Sequence, residues 1–403
     1  MNIATTNKNP VVATLLVSCF FCAVPAIAAG DCAARGGENV KFDIAAYVWP
    51  AYHPAKRWAE LGIFKDGKGE WQNVYEAVEH FSEDHHGVKP LWGYENEADP
   101  VVVARKIDAS LSAGVNVFIY DWYWYGGRPF LEEALENGFL KAQNRERMRF
   151  YVMYANHNVT KTWNNKVYGE EKRSVVWQAK ITDDDWKAIV ACWVGRYFSQ
   201  PNYYTIKGRP VVSLYDVFLF VEWEGLQKAK ERIDYLRAEA RRAGFPGVHL
   251  QACAKGKRLP DLGFDSVTIY NWNYRLWPQF LSGSDKKTPY RLFGESAIAN
   301  FGAGKAEADE IGATYFPNIT CGWDNNARFP AQESRSLVVD ANPEDFERFC
   351  RITKEWALKN IPAGMPRLIT VNSLNEWTEG SYLEPDDRFG YGYFNALWRV
   401  FVK

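Results

Sequence analysis

The sequence lacks the features that define several large classes of protein. Its formal net charge is only -1, so it has no basic excess of the kind that favours a nucleic-acid partner. No internal repeat or low-complexity segment is evident, and no Cys-x-x-Cys pair occurs among the 5 of its 7 cysteines that follow residue 28. A disulfide framework and a zinc site are therefore not predicted. What remains is a globular composition, 47% hydrophobic, with ample material for a large core.

The N-terminus has the pattern of an export signal. Lys8 precedes an apolar run over residues 11–29, and Ala26-Ile27-Ala28 supplies a small-x-small cleavage site. This predicts a signal peptide over residues 1–28 and a linker over 29–41, because the run is too short for a membrane span. Leu16-Val17-Ser18-Cys19 also resembles a lipobox, so a lipid anchor at Cys19 is the alternative. Either route predicts the periplasm, the cell surface or the medium.

The cysteines outside the signal are widely spaced. Most are expected to be small buried hydrophobic side chains, and one disulfide that cannot be assigned is allowed. They are Cys32, Cys192, Cys253, Cys321 and Cys350.

Short apolar runs alternate with amphipathic helical segments along the rest of the chain. Most runs are rich in β-branched and aromatic residues, as buried parallel strands are, and the seventh is the weakest because Pro317 removes a ladder donor. The runs are Phe42–Trp49, Val115–Asp121, Arg149–Ala155, Pro210–Asp216, Val248–Ala254, Phe264–Asn271, Ala313–Thr320 and Pro366–Leu374.

Helices with recognisable ends separate these runs. Asp99-Pro100 opens one with a cap and a proline at the first position, and Gly114 closes it. Residues 226–243 form a second, and Asn342-Pro343 opens a third. The alternation predicts an α/β fold, a single-domain (β/α)₈ TIM barrel over residues 42–403. A doubly wound open sheet is the alternative, but Pro50 to Pro54 follow the first run instead of a glycine-rich nucleotide loop.

Aromatic and polar residues gather where the predicted strands end. Aromatic residues make up 16% of the chain, and they either fill the core or stack on the apolar faces of sugar rings. In a barrel the site lies at the C-terminal ends of the strands, so rings, amides and acids there predict a carbohydrate cleft. The predicted substrate contacts are Trp49, Tyr52, His53, Asp121, Trp124, Asn156, His157, Tyr270, Trp323 and Asp324.

Each of these side chains also has a structural interpretation. Asp121 and Asp216 could cap the helices that follow them, and His53 and His157 could be satisfied structural histidines. No third ligand at metal spacing accompanies the histidines, so a metal site is not predicted.

Two acids after the eighth run are the predicted catalytic residues. Glu376 and Glu379 are three residues apart around Trp377, where the strand stops near Leu374. A helical turn at that point would aim both carboxyls to one side, at the close spacing typical of retaining glycosidases. Two acids so close cannot both ionise cheaply, so one is expected to hold a proton beside a carboxylate base. The alternative is a solvated loop with two ordinary glutamates. No cofactor is predicted, because two acids suffice.

Three long segments carry a resemblance to a known family. They are "WGYENEADPVVVARKIDASLSAGVNVFIYDWYWYGGRPFLE" from Trp92, "CGWDNNARFP" from Cys321, and "NEWTEGSYLEPD" followed by "RFGYGYFNAL". The sequence resembles the WbsX-like, glycoside hydrolase family 99-like proteins. The resemblance implies a (β/α)₈ barrel that acts on glycans.

The resemblance also implies roles for the two acids. In family 99 endo-α-mannosidases the second acid of the pair is the general acid/base, and the first assists the attack of the sugar 2-hydroxyl on the anomeric carbon. These roles fall on Glu379 and Glu376 here. One departure is "YANHNVT", where His157 stands in place of an acid of the WbsX-like pattern, so the sugar is not fixed. A direct carboxylate nucleophile stays open.

The resulting expectation is a secreted retaining glycoside hydrolase that cleaves an α-linked polysaccharide or oligosaccharide. Two other classes stay open: a non-catalytic glycan-binding protein that uses the same rim, and a glycosyltransferase, a label that some WbsX-like proteins carry. Predicted export argues against the transferase, because nucleotide-sugar donors are cytoplasmic.

Overall fold

The computed structural model describes residues 40–62, 64, 67–81, 87–253, 262–284 and 286–403. The predicted signal peptide, the lipid-anchor candidate Cys19 and the linker as far as residue 39 lie outside the described residues and remain predictions. Residues 41–403 form one compact unit.

Eight parallel strands form the centre of this unit, one for each predicted run. They are β1 (Phe42–Val48), β2 (Val115–Tyr125), β3 (Arg149–Tyr154), β4 (Arg209–Leu214), β5 (His249–Cys253), β6 (Ser266–Thr268), β7 (Thr314–Tyr315 and Asn318–Thr320) and β8 (Arg367–Asn372). Each strand pairs with the next along the chain, and β8 pairs with β1 in the register Ile44 opposite Ile369. The predicted (β/α)₈ barrel is confirmed.

The seventh strand closes the ring in two pieces. Thr314–Tyr315 pairs with β6, and Asn318–Thr320 pairs with β8. Pro317 lies between the pieces and has no N–H to donate, but its carbonyl accepts a hydrogen bond from Thr370 N–H at 3.0 Å. The proline thus shortens the strand without opening the barrel.

Helices cover the outside of the barrel, and short strand pairs extend its rims. The helices are Trp58–Leu61, Trp71–Tyr75, Pro100–Ala113, Gly169–Lys172, Asp183–Cys192, Val217–Glu222, Leu226–Arg242, Asn273–Leu276, Tyr290–Ala299, Phe301–Asp309, Pro343–Asn360 and Gly392–Phe401. The short strands are Arg128–Phe130, Val159–Thr160, Val175–Trp177, Thr205–Ile206, Lys287–Pro289, Leu337–Val339, Asn375–Glu376 and Ser381–Tyr382.

The helix ends follow the local signals in the sequence. The Asp99 side chain accepts a hydrogen bond from Val101 N–H, and Gly114 closes the same helix with φ 98°. Asn342 caps the helix Pro343–Asn360 through the N–H groups of Glu344 and Asp345. These predicted caps are confirmed.

The prediction for the cysteines has a structural outcome. Cys253, Cys321 and Cys350 are buried thiols and Cys192 is partly buried, while Cys32 lies outside the described residues. Within the described ranges, no helix combines the length and the apolar character that a bilayer crossing requires.

The helix Tyr290–Ala299 packs against the helix Pro343–Asn360 at a glycine. A Cβ atom on Gly294 would lie 2.3 Å from the ring of Phe349, which is fully buried. We expect Gly294→Ala to lower the free energy of unfolding by about 1–3 kcal/mol, because the ring has no space to move aside. Urea denaturation measures the difference.

Gly302→Ala is the matched control, because Gly302 is exposed in the neighbouring helix and a Cβ there meets nothing within 4 Å. We expect it to be neutral or to stabilise the protein by up to about 1 kcal/mol. Equal effects of the two substitutions would contradict the close approach of the helices.

Candidate active site

A single tight turn after β8 presents the two predicted acids. The strand Asn375–Glu376 pairs with Ser381–Tyr382, and the 3₁₀ turn Trp377–Glu379 joins them. Gly380 ends the turn with φ 59°, a conformation that favours glycine. The predicted turn is therefore confirmed, and Glu376 and Glu379 contact the same neighbouring side chain.

That neighbour is Arg328, from the loop after β7. Its Nη1 lies 2.6 Å from Glu379 Oε1, and its Nη2 lies 3.1 Å from Glu376 Oε1. Its Nε lies 2.7 Å from Oε1 of a third acid, Glu70. One guanidinium is thus shared by three carboxylates, and the Arg328 side chain is only 7% exposed.

Burial and the neighbouring negative charges raise the pKa values of these acids. Burial raises the pKa of Glu376 well above its usual value, and the negative charge of Glu379 adds to the rise while Arg328 opposes it. Burial also raises the pKa of Glu379 against the opposing effect of Arg328. Burial works to lower the pKa of Arg328 itself, but its three carboxylate partners outweigh burial and raise it. The guanidinium therefore stays charged, and burial favours a proton on the acid pair.

A tyrosine connects Glu376 to a fourth acid. The Tyr270 hydroxyl lies 3.1 Å from Glu376 Oε2 and 2.9 Å from Asp121 Oδ2. One hydroxyl proton cannot satisfy two carboxylates, so the second contact requires a proton on Asp121 or on Glu376. Burial raises the pKa of Asp121 well above its usual value, in agreement with such a proton. Asp121 Oδ1 is buried and has no hydrogen-bond partner among the described residues.

These groups line two adjoining cavities at the C-terminal ends of the strands. The first cavity, of about 210 Å³, contains six of the predicted residues: Trp49, Asp121, His157, Tyr270, Glu376 and Glu379. The second cavity, of about 350 Å³, contains Trp323 and also Tyr270 and Glu379. The structure thus brings together seven of the twelve predicted residues.

The other five predicted contacts lie away from both cavities, and they support the rim instead. Tyr52 is fully buried, and its hydroxyl accepts a hydrogen bond from Thr378 N–H at 3.0 Å beneath the acid turn. Asn156 bonds both backbone groups of Asp216, at 2.7 and 2.8 Å. Asp216 in turn caps the helix Val217–Glu222, which was the structural interpretation of that residue.

The remaining three, His53, Trp124 and Asp324, form hydrogen bonds with residues that line neither cavity. His53 contacts Glu133 at 3.2 Å, Trp124 donates to Asp185 at 2.9 Å, and Asp324 accepts from the N–H and the amide of Asn326 at 3.0 and 2.8 Å. None of Tyr52, His53, Trp124, Asn156 and Asp324 is among the residues that line these two cavities, and their contact with substrate stays a prediction. Polar side chains that follow strands also form hydrogen bonds with the backbone of turns and helix ends. The sequence does not distinguish this structural role from substrate binding.

Several residues of the site were not predicted. Arg328 lies within the segment "CGWDNNARFP", so its basic charge beside a strand end was a usable signal. Glu70 lies in the loop between β1 and β2 and has no such signal. Its carboxylate also accepts a hydrogen bond from Trp49 Nε1. Aromatic residues complete the walls of the first cavity: Tyr123, Trp163 and Tyr215.

A second buried ion cluster supports the acid turn from below. Lys106 pairs with Glu97 and with Glu384, and all three side chains are at most 5% exposed. Glu97 accepts from the Asn375 amide at 2.8 Å, and Glu384 accepts from Trp377 Nε1 at 2.9 Å. The residues immediately before and after Glu376 are therefore both fixed to this cluster.

The protonation of this lower cluster is sensitive to pH. Burial raises the pKa of Glu97 to about 7, although Lys106 opposes the rise. The carboxylate that holds the Asn375 amide therefore titrates near neutrality.

The sequence matches the family model described as glycosyltransferase WbsX over residues 44–397. The chain belongs to the WbsX family. This membership confirms the resemblance to WbsX-like proteins that the sequence motifs predicted. The chain is also 25% identical over 373 residues to "Uncharacterized protein WxcX" of Xanthomonas campestris pv. campestris strain B100. The match covers 91% of this chain, and the chain spans about half the length of the curated relatives that it matches, 50% here.

Solved structures of glycoside hydrolases share this WbsX-family fold. A glycoside hydrolase-like protein superposes with a TM-score of 0.58 at 13% identity, covering 92% of this chain and 97% of that chain. The GH99 endo-alpha-mannosidase from Bacteroides thetaiotaomicron gives 0.53 at 16% identity, covering 90% and 96%. At these identities the likeness concerns the fold.

The cavities have no evident metal site. Within the part of the chain that the structure describes, no three His, Cys, Asp or Glu side chains are grouped to hold a metal ion. Chemistry without a cofactor stays a prediction.

Removal of the shared guanidinium tests the acid cluster. We expect Arg328→Gln to lower the free energy of unfolding by about 3–5 kcal/mol, because three buried carboxylates lose their counter-charge. Glu376 and Glu379 have raised pKa values, and loss of Arg328 raises them further. Protonation removes the repulsion at low pH, so the loss should be smaller at pH 5 than at pH 8. Denaturant titrations at both pH values measure it.

Arg348→Gln is the control, because Arg348 forms an exposed pair with Glu295. Its effect should stay within about 0.5 kcal/mol at both pH values. A loss in Arg328→Gln that does not depend on pH would contradict the charge argument.

Proposed function

We propose that this protein is a glycoside hydrolase that cleaves an α-linked glycan with retention. The observation that carries the proposal is the convergence of Glu376 and Glu379, both with raised pKa values, on Arg328 in an aromatic-lined cavity. One group that donates a proton and another that acts as a base are what glycosidic cleavage requires. Rings such as Trp49 and Trp163 suit the apolar faces of a sugar.

The two acids have different surroundings, and this supports a division of roles. Glu379 lines both cavities and has a side chain 13% exposed, whereas Glu376 lines only the first and is 3% exposed. The glycosidic oxygen joins the sugar that is attacked to the sugar that leaves. We therefore assign Glu379 as the general acid/base that protonates this oxygen.

Glu376 is assigned to the attacked sugar. In the mechanism implied by the family resemblance, Glu376 accepts the proton of the 2-hydroxyl, and that oxygen displaces the protonated leaving sugar to give an anhydro intermediate. Water, deprotonated by Glu379, then attacks the anomeric carbon and breaks its bond to the 2-oxygen, which takes the proton back from Glu376. Two inversions at the anomeric carbon give net retention. The alternative is direct attack by the Glu376 carboxylate. Both routes need closely spaced carboxyls, about 5–5.5 Å apart in retaining enzymes. Contact of both acids with one guanidinium supports such a spacing.

The family name makes a glycosyltransferase the second candidate. A nucleotide-sugar donor would bring a diphosphate close to Asp121, Glu376 and Glu379. Arg328 is the only arginine or lysine among the described residues that line the first cavity, and three carboxylates already share it. A diphosphate would therefore meet net negative charge, and this favours a neutral glycan as substrate. Export to the periplasm, the cell surface or the medium is part of the proposal.

Neutralising the proton donor tests the assignment. Glu379→Gln cannot protonate the leaving oxygen, so we expect its turnover on an unactivated α-linked glycan to fall by about 10²–10⁴-fold. Glycan binding should persist, because the amide keeps the shape of the carboxyl. A panel of mannan, rhamnan and host glycans, followed by detection of new reducing ends, measures turnover. Glycosides with good leaving groups should lose less activity, because they need less protonation.

Glu295→Gln, on an outer helix, is the control and should cleave like the wild type. Near-normal turnover of Glu379→Gln would reject the assignment. Binding without cleavage by the wild-type protein across the panel would favour a glycan-binding protein instead. Cleavage that appears only as transfer from a nucleotide sugar would favour the transferase.

A further inference from the structure

The second cavity adjoins the first at Glu379, the proposed general acid/base. The two share Tyr215, Tyr270 and Glu379, and the second extends towards the end of β6 and the loop after β7. It contains no other acid and no lysine or arginine among the described residues that line it. A ligand there meets Glu379 on one side and neutral side chains on the others.

Three residues that line this second cavity carry buried polar atoms without partners among the described residues. Asn271 Oδ1, both amide atoms of Asn273, and Trp323 Nε1 have no hydrogen-bond partner among the described residues. The three residues are 4%, 6% and 6% exposed. A ligand in this cavity would supply the partners that these side chains lack among the described residues.

The unsatisfied atoms suit a sugar. Trp323 Nε1 is a donor, Asn271 Oδ1 is an acceptor, and the Asn273 amide is both. Sugar hydroxyls donate and accept in the same way. Trp277 extends the wall at the cavity mouth, 41% exposed and edge-on to Trp323 with ring centroids 6.1 Å apart. An exposed ring beside amides offers an apolar surface for the face of a pyranose.

We propose that the second cavity binds the sugar on the leaving side of the scissile bond, so that the substrate is a glycan with a neutral sugar at that position. The inference rests on the proposed function, because Glu379 defines which side is the leaving side. Asn273 and Trp323 then determine whether a leaving group is recognised, while the first cavity holds the sugar that is attacked.

The test compares two substrates that contain the same sugar and differ in their leaving group. The first is an α-linked oligosaccharide of mannose, rhamnose or glucose, whichever the wild type cleaves. The second is the disaccharyl fluoride of that sugar, whose departing fluoride cannot fill the second cavity. We expect Asn273→Ala to lower the ratio of kcat/KM on the oligosaccharide to kcat/KM on the fluoride by about 10-fold, since two hydrogen bonds are lost. Trp323→Phe keeps the ring and should lower the ratio by about 3-fold.

Asn360→Ala, on the helix Pro343–Asn360, is the matched control and should keep the wild-type ratio. Circular dichroism melts verify that each variant folds, and Trp323→Phe provides the test if Asn273→Ala does not fold. An unchanged ratio would overturn the proposal. An equal loss on both substrates would also overturn it, because the cavity would then serve the attacked side or the fold.

A failure of the proposed function gives a different result. If the wild type cleaves neither substrate, calorimetric titration of the same oligosaccharides into wild type and Asn273→Ala decides. Binding that is about 10-fold weaker in the variant supports the second cavity as a sugar site while the hydrolase assignment fails. Equal binding, or no binding to either protein, overturns the sugar site as well.

Discussion

The shared guanidinium of Arg328 is the interaction on which the candidate site depends. Three carboxylates from two distant parts of the chain face one positive charge in a buried position. The cluster carries an excess of negative charge, and burial makes that excess expensive. A proton on one acid relieves it. On the proposed mechanism, this proton is the one that glycosidic cleavage uses.

Such a cluster needs a rigid frame, because carboxylates that repel one another move apart where the backbone allows it. The frame comes from both sides of the acid turn. Lys106 and its two acids hold Asn375 and Trp377 from below. From the side, the N–H of Asp324 donates to the carbonyl of Glu379 at 2.6 Å. The fully buried Tyr52 completes the support through Thr378. Residues outside the lining of both cavities thus determine the position of the acids.

Local patterns in the sequence predict the barrel well, because hydrophobic runs and helix caps act over a few residues. Asp99, Gly114 and Asn342 end helices for reasons visible within a single turn. The acid turn is of the same kind, since Glu376 and Glu379 are neighbours in sequence. Most of the barrel and the acid pair are therefore readable from the sequence alone.

The rim is less predictable, because one residue type has two uses there. Asp121 lines the first cavity, whereas Asp216 follows its strand in the same way and caps a helix. Glu70 and Arg328 are separated by 258 residues, and only the closed barrel brings them together. No local pattern in the sequence predicts a contact between residues so far apart. The sequence therefore does not predict that Arg328 balances the charge of the acids.

The family name and the proposed hydrolysis differ less than their labels suggest. On the proposed mechanism, Glu379 is a carboxylate once the leaving sugar has gone, and it can remove a proton from water or from a sugar hydroxyl. Microscopic reversibility makes the position of the leaving sugar also the position of an acceptor sugar. A second cavity that holds sugars near Glu379 would favour transfer, and one that empties quickly would favour hydrolysis. The strength of binding by Asn273 and Trp323 is then the physical quantity that separates the two activities.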